Sequence, residues 1–198
     1  MAQQSVEGDA MRVQKLFGGA FEISLPARFI DLSSFRLVPD HLEVLSDAHA
    51  DQSVIIELVE RVSEEKDSSA AQYHFKDIAA VHSSSATSIV SAGEFKASEF
   101  AIAKQFHCSW AFGTQRVSKG RDGADKANVI ALFLVLIRLK RFETDLLISF
   151  NAPIQIHAHS QAKNAKSAVK PPQQSLQSFK RIIATFKIKD LSIFDVQQ

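Results

Sequence analysis

Residues 129–154 read VIALFLVLIRLKRFETDLLISFNAPI, and the fold follows from them. Two apolar stretches, Val129 to Leu139 and Asp145 to Ile154, flank a short link from Lys140 to Thr144. The uninterrupted apolar run ends at Ile137, where Arg138 stops it. A membrane span needs about 20 such residues, so this run predicts a buried strand. The link is too short for a crossover, so the second strand must return antiparallel beside the first. An antiparallel sheet is therefore the frame of the molecule.

Outward from this hairpin the chain continues in the same style. Phe106, Cys108, Trp110 and Phe112 alternate with more polar neighbours, which predicts a strand over Phe106 to Val117 with one face buried. Another strand is expected over Ile89 to Ala97, preceded by the break Ser83-Ser84-Ser85. On the other side, His157 to Pro172 is a polar loop, and Pro171-Pro172 starts a helix at Gln173 whose apolar stripe is Leu176, Phe179, Ile183 and Phe186.

The N-terminal third is read less directly. Gly18-Gly19 breaks Gln14 to Leu25 into two short strands, Asp31-Leu32-Ser33-Ser34 is a capped helical turn, and Val38-Pro39-Asp40 is a turn before a strand at Leu42 to Leu45. The segment Ser53 to Val62, SVIIELVERV, carries a helical stripe and a load of β-branched residues, and the latter favour a strand. Ser68 or Ser69 is expected to cap a short helix through Ala70, Ala71, Tyr73, His74, Phe75 and Ile78. Strands in sequence with few helices between them predict an α+β fold, a mostly antiparallel sheet of about six strands flanked by helices. Residues 13–198 form one domain in this reading, and residues 1–12 a polar, disordered tail.

The bulk composition excludes several classes. The 198 residues are 45% hydrophobic and 23% charged, which are globular values. The formal net charge of +1 provides no global field for nucleic acid or an anionic membrane, so neither is expected as a partner. Cys108 is the single cysteine, which excludes an internal disulfide and a cysteine zinc cluster and fits a reducing compartment. A monomer without cofactor is expected.

No catalytic constellation stands out. Gly113 and Gly120 are spaced wrongly for a phosphate-binding loop. His157 and His159 share one side of an extended chain but lack a third metal ligand, and read as loop residues. His107 and Cys108 point to opposite faces of a strand, so Cys108 reads as a small buried thiol. His74 reads as a packed or capping histidine. Arg138 closes the longest apolar strand and needs a carboxylate, which Asp145 across the turn provides as a structural pair at an exposed hairpin end. Asp40, Glu43, Glu57 and Glu60 lie in or beside apolar segments and are candidates for an acidic patch, against the alternative of a sheet's wet face. Glu57 and Glu60 do not share a face in a regular strand, so a bulge or a strand end must turn one of them.

Several segments in fixed order resemble the Mog family of Ran guanine-nucleotide release factors: Leu16-Phe17-Gly18-Gly19-Ala20-Phe21, Val38-Pro39-Asp40 with Glu43-Val44, and Gln52 to Glu60. His74-Phe75-Lys76-Asp77-Ile78, Leu136-Ile137-Arg138-Leu139 and Thr144 to Ile148 with Asn151 and Pro153 continue the series. The resemblance runs from about Leu16 to Pro153, with a weaker echo at Ser192-Ile193-Phe194. It implies a fold like that of the PsbP photosystem protein and no enzymatic activity. It further implies binding of Ran in GTP-bound and nucleotide-free forms, release of its guanine nucleotide, and a role in nuclear protein import in nucleus and cytoplasm. A complex that includes the Ran exchange factor is compatible with it. The family's acidic motif, Asp/Glu-Leu-Leu-Glu, maps onto Glu57-Leu58-Val59-Glu60, with Glu57 in place of the shorter Asp and Val59 in place of Leu. Asp40 and Glu43 belong to a matching segment on the same expected surface. Two rivals remain open at this point: a small-molecule site served by His74 or Arg138, and an assembly or scaffold domain without a GTPase partner.

Overall fold

The computed structural model describes residues 10–195. Its centre is the expected hairpin, β8 (Asn128–Leu139) and β9 (Thr144–Gln155), antiparallel with Val135 opposite Ile148. Glu143 closes the turn in the left-handed region, at φ 45°. The remaining strands are β1 (Met11–Leu16), β2 (Phe21–Pro26), β3 (Ile30–Asp31), β4 (Leu42–Asp47), β5 (Gln52–Glu60), β6 (Ala86–Glu94), β7 (His107–Val117) and β10 (Lys187–Ile188). Two α-helices join them, α1 (Asp67–Val81) and α2 (Pro172–Ile183). Seven strands form one antiparallel sheet in the order β3-β4-β5-β9-β8-β7-β6, and β1-β2-β10 form a second, three-stranded sheet.

Every residue of β8 from Ala131 to Leu139 is buried, so both faces of the large sheet are covered at its centre. On one face lie α2 and the small sheet. Phe21, Ile23 and Leu25 of β2 and Phe179, Ile182 and Ile183 of α2 join Ile56, Phe133, Val135, Ile148 and Phe150 in the main core. On the other face α1 places Ala70, Ala71 and Phe75 against Ala111, Leu132, Leu134, Leu136 and Leu147. Gly113 permits this close approach: a Cβ there would sit 2.0 Å from the Ser88 carbonyl oxygen and 2.7 Å from the Phe75 ring. Helix α1 lies over β6, β7 and β8 and stops short of β5, which leaves a furrow between helix and strand.

The capped turn at Asp31 is present, its carboxylate accepting from the Ser33 N–H at 2.8 Å. Several expectations need correction. The tail does not reach Arg12: pairing with β2 runs out to Met11 opposite Pro26, and the Arg12 guanidinium donates to the Phe29 carbonyl at 2.6 Å. The rest of that expectation, residues 1–9, lies outside the described residues. Neither Ser68 nor Ser69 caps α1, because the helix begins at Asp67, and it runs for 15 residues rather than being short. Strand β7 is covered on both faces, since Ser109 and Ala111 meet the α1 layer while Cys108 lies in the main core. The large sheet fits the expected mostly antiparallel sheet of about six strands, with the two-residue β3 added at its edge as a seventh.

The stretch expected as a polar loop, 157–172, is pinned. It contains a 3₁₀ segment, Lys163–Ala168, and α2 begins at Pro172. Asn128 donates to Ser160 Oγ at 3.1 Å and accepts from the His157 N–H at 2.8 Å. Ile156, Ala162 and Ala165 form a small core of their own beneath it.

Candidate functional site

Arg138 sits at the end of β8, 1% exposed, facing α1. A guanidinium without water must satisfy five N–H donors. Here all five find acceptors: Nε and one Nη meet the two carboxylate oxygens of Asp145 at 3.0 and 3.2 Å. The remaining donors reach the Val62 carbonyl at 2.6 Å, and the Glu65 carbonyl and the Asp67 carboxylate at 2.9 Å each. Asp145, 0% exposed, also accepts from His74 Nε2 at 2.9 Å, which fixes that nitrogen as protonated. Burial alone would raise the Asp145 carboxyl, but the His74 and Arg138 hydrogen bonds and charges outweigh it and hold it below its ordinary range. The expected Arg138–Asp145 pair is present, as a buried cluster rather than an exposed hairpin end, because the 61–67 link folds over it. It anchors the start of α1.

Beside this cluster lies the furrow between α1 and β5, a groove of about 330 Å³. Ile55, Val59 and Leu147 belong to its sheet side, and Tyr73, Ile78 and Val81 to its helix side. Three carboxylates line it: Glu57 and Glu60 from β5, and Asp77 from α1. Among the described residues none of the three makes a side-chain hydrogen bond or salt bridge. Burial pushes the Glu57 carboxyl above its ordinary value; His41 opposes this and Asp77 adds to it. The groove therefore sets carboxylates among apolar walls; His74 and His82 line it too, and their charge with that of His41 opposes the rise of Glu57, but no lysine or arginine of the described residues lines it.

The four acidic candidates are not equivalent. Glu57 projects from the α1 side of β5, as alternation with Ile55 and Val59 requires. Pairing with β9 is regular, Glu57 opposite Leu147 and Glu60 opposite Thr144, so no bulge brings them together. Glu60 reaches the groove because it is the exposed last residue of the strand. Asp40 is exposed in the turn before β4, beside His41. Glu43 is opposite Ile56, hence on the α2 side of the sheet, where its carboxylate accepts from the Phe17 N–H at 2.6 Å. Tyr73 and Asp77, read from sequence only as residues of the expected helix and of the matching segment, also line the groove, and their four-residue spacing places both on one helix face.

The other singled-out groups take plain positions. Cys108 is buried, and burial pushes its thiol up to about 12. His107 Nε2 lies 3.2 Å from the Asp67 carbonyl. Among the described residues no group of three or more His, Cys, Asp and Glu side chains is disposed around a metal position.

A family model described as the Ran-interacting Mog1 protein matches residues 14–153, which span the hairpin, the groove and the charge cluster. The chain belongs to the Mog1 family. It is 34% identical over 190 residues to a probable Ran guanine nucleotide release factor of Dictyostelium discoideum, an alignment covering 91% of this chain and 95% of that one. The crystal structure of the Saccharomyces cerevisiae Ran-binding protein Mog1p has the same fold, with a TM-score of 0.67 at 23% identity over 93% of this chain and 98% of that one. The solution structure of the cyanobacterial PsbP of Synechocystis follows at a TM-score of 0.53 and 10% identity, covering 96% and 98%. The α+β reading and the likeness to PsbP therefore hold for this Mog1 family member.

Proposed function

We propose that this chain is a non-enzymatic nucleotide-release factor for the small GTPase Ran that supports nuclear protein import in nucleus and cytoplasm. Glu57 and Glu60 are its principal contacts, with Asp77 beside them. The observation that carries this reading is the contrast within one helix–strand layer: Asp145 has a full set of donors, whereas Glu57, Glu60 and Asp77 have none. A lysine or arginine of the partner would lay its aliphatic stem on Ile55, Val59 and Ile78 and its charge on the carboxylates. Membership of a family described as Ran-interacting, and relatives named as release factors, support Ran as that partner.

Release needs no bond chemistry. A protein that binds empty Ran more tightly than nucleotide-loaded Ran weakens the nucleotide by the same factor, since the coupling is reciprocal. A hundredfold effect requires about 2.7 kcal/mol, within the range of one or two desolvated charge pairs. Basic groups drawn from phosphate to Glu57 and Glu60 supply it. The Asp40 turn lies outside the groove and Glu43 is already engaged with Phe17, so both contribute less.

The test is release of a fluorescent guanine nucleotide from Ran by a Glu57→Lys, Glu60→Lys double variant. The rate enhancement falls at least tenfold, roughly the loss of one charge pair. A properly folded double variant that releases nucleotide at the unmodified rate removes the groove from the mechanism.

A further inference from the structure

On the opposite face of the large sheet, a second cleft of about 430 Å³ opens between α2 and the β7–β8 surface. This volume is in the range of small-molecule sites, roughly 300–1,000 Å³. Its walls are aromatic. Phe112 and Phe133 stack at 4.6 Å between centroids and 15° between planes, and Phe179 packs 6.0 Å from Phe133. Trp110 and Phe95 complete the aromatic lining. Trp110 is half-buried and lies against Gly93, where a Cβ would come within 3.1 Å of the indole; glycine lets the ring rest on the β6 backbone.

Two charged groups line the cleft, Glu99 and Lys180. They are not balanced. Glu99 is occupied by its own turn, accepting from the Lys96 N–H at 2.9 Å. Lys180, exposed on α2, makes no side-chain hydrogen bond or salt bridge among the described residues. Arg181 follows it in the same helical turn. A ligand entering here meets flat apolar walls and a free positive charge.

We propose that this cleft binds a flat, apolar small molecule bearing an acidic group, with the rings against Phe95, Trp110 and Phe112 and the acid on Lys180. The site is separate from the Glu57 groove, which opens on the α1 face. It stands whether or not Ran is the partner there.

The chain carries its own probe, since Trp110 is the single tryptophan. Titration of the full chain with anilinonaphthalene sulfonate, a planar aromatic anion, gives a saturable one-to-one rise in ligand fluorescence, and acrylamide quenching of Trp110 falls as the cleft fills. Ser91→Phe and Ala184→Phe obstruct the cleft from opposite walls at exposed positions, and each weakens binding at least tenfold. Lys180→Glu weakens it about fivefold, as expected for one exposed charge contact, and uncharged phenylnaphthylamine binds correspondingly less well. Non-saturable fluorescence, unchanged acrylamide quenching in the unmodified chain, or folded blocking variants that bind as before would each overturn the site. Equal binding of the charged and uncharged probes would overturn the acidic ligand class. Displacement of the probe by Ran would instead assign the cleft to a protein side chain.

Discussion

Asp145 and Glu57 are both carboxylates on the α1 side of adjacent strands, with His74 close to each. Their environments push them in opposite directions. Arg138 and His74 hold Asp145 ionised at the bottom of the layer. Glu57, two residues up the strand from the Val59 position that Asp145 faces, has burial without a donor and is raised. What separates an anchor from a binding group here is the supply of partners, not residue type or depth. The carboxylate left unanswered beside one answered completely is the contrast on which the proposed contact with Ran rests.

The comparison breaks most sharply at its anchored end. Arg138→Ala leaves Asp145 buried with an uncompensated charge and lowers unfolding free energy by about 3–5 kcal/mol in denaturant titration. The Glu57→Lys, Glu60→Lys variant inverts the pattern: it retains stability within about 1 kcal/mol, as expected at the margin of an open groove, while losing release activity. An acid titration sharpens the contrast. A depressed folded value means that Asp145 contributes stability above its unfolded value of about 4, lost as pH falls through the folded one. The unmodified protein therefore loses stability below about pH 4, and Asp145→Asn, already weakened, loses less over that interval.

Glu57 has the opposite sign. Its folded value is raised, so the folded state holds the proton longer and stability falls as pH rises from the unfolded value, about 4.3, through the folded one. Glu57→Gln accordingly stabilises the free protein at neutral pH by about 0.5 kcal/mol, the smallest of these effects, and the gain vanishes in acid. A thermal melt at two pH values measures it. A Glu57→Gln variant less stable than the unmodified chain at neutral pH would mean that the carboxylate has a partner after all.

The parts legible in the sequence are those set by local pattern. The β8–β9 hairpin follows from two apolar runs and a short link, and α2 from Pro172 and its apolar stripe. Even the Arg138–Asp145 pair is local, seven residues apart. The rest of that cluster is not: Arg138 reaches Val62 over 76 positions, and Asp145 meets His74 over 71. No periodicity encodes such distances, which is why the pair reads from sequence as a surface feature. The Glu57–Glu60 question is settled by a strand end rather than a bulge, and strand ends are the least patterned part of any element. Asp77 joins the groove only because α1 docks beside β5, a tertiary relation.

The place of β5 in the sheet leaves one of its edges waiting for a partner that comes late in the chain. Its neighbour β9 arrives late in the chain: Arg61, just past β5, pairs with Glu143 across 82 positions, and Ser24 of β2 waits for Thr185, 161 positions on. During synthesis the segment SVIIELVE can pair with β4, which precedes it, but its other edge, apolar and β-prone, has no partner until β9 has left the ribosome. Its charged residues, Glu57 and Glu60, are then the ones that discourage it from pairing with another nascent chain. The same two carboxylates proposed to contact Ran would guard the strand before the groove exists.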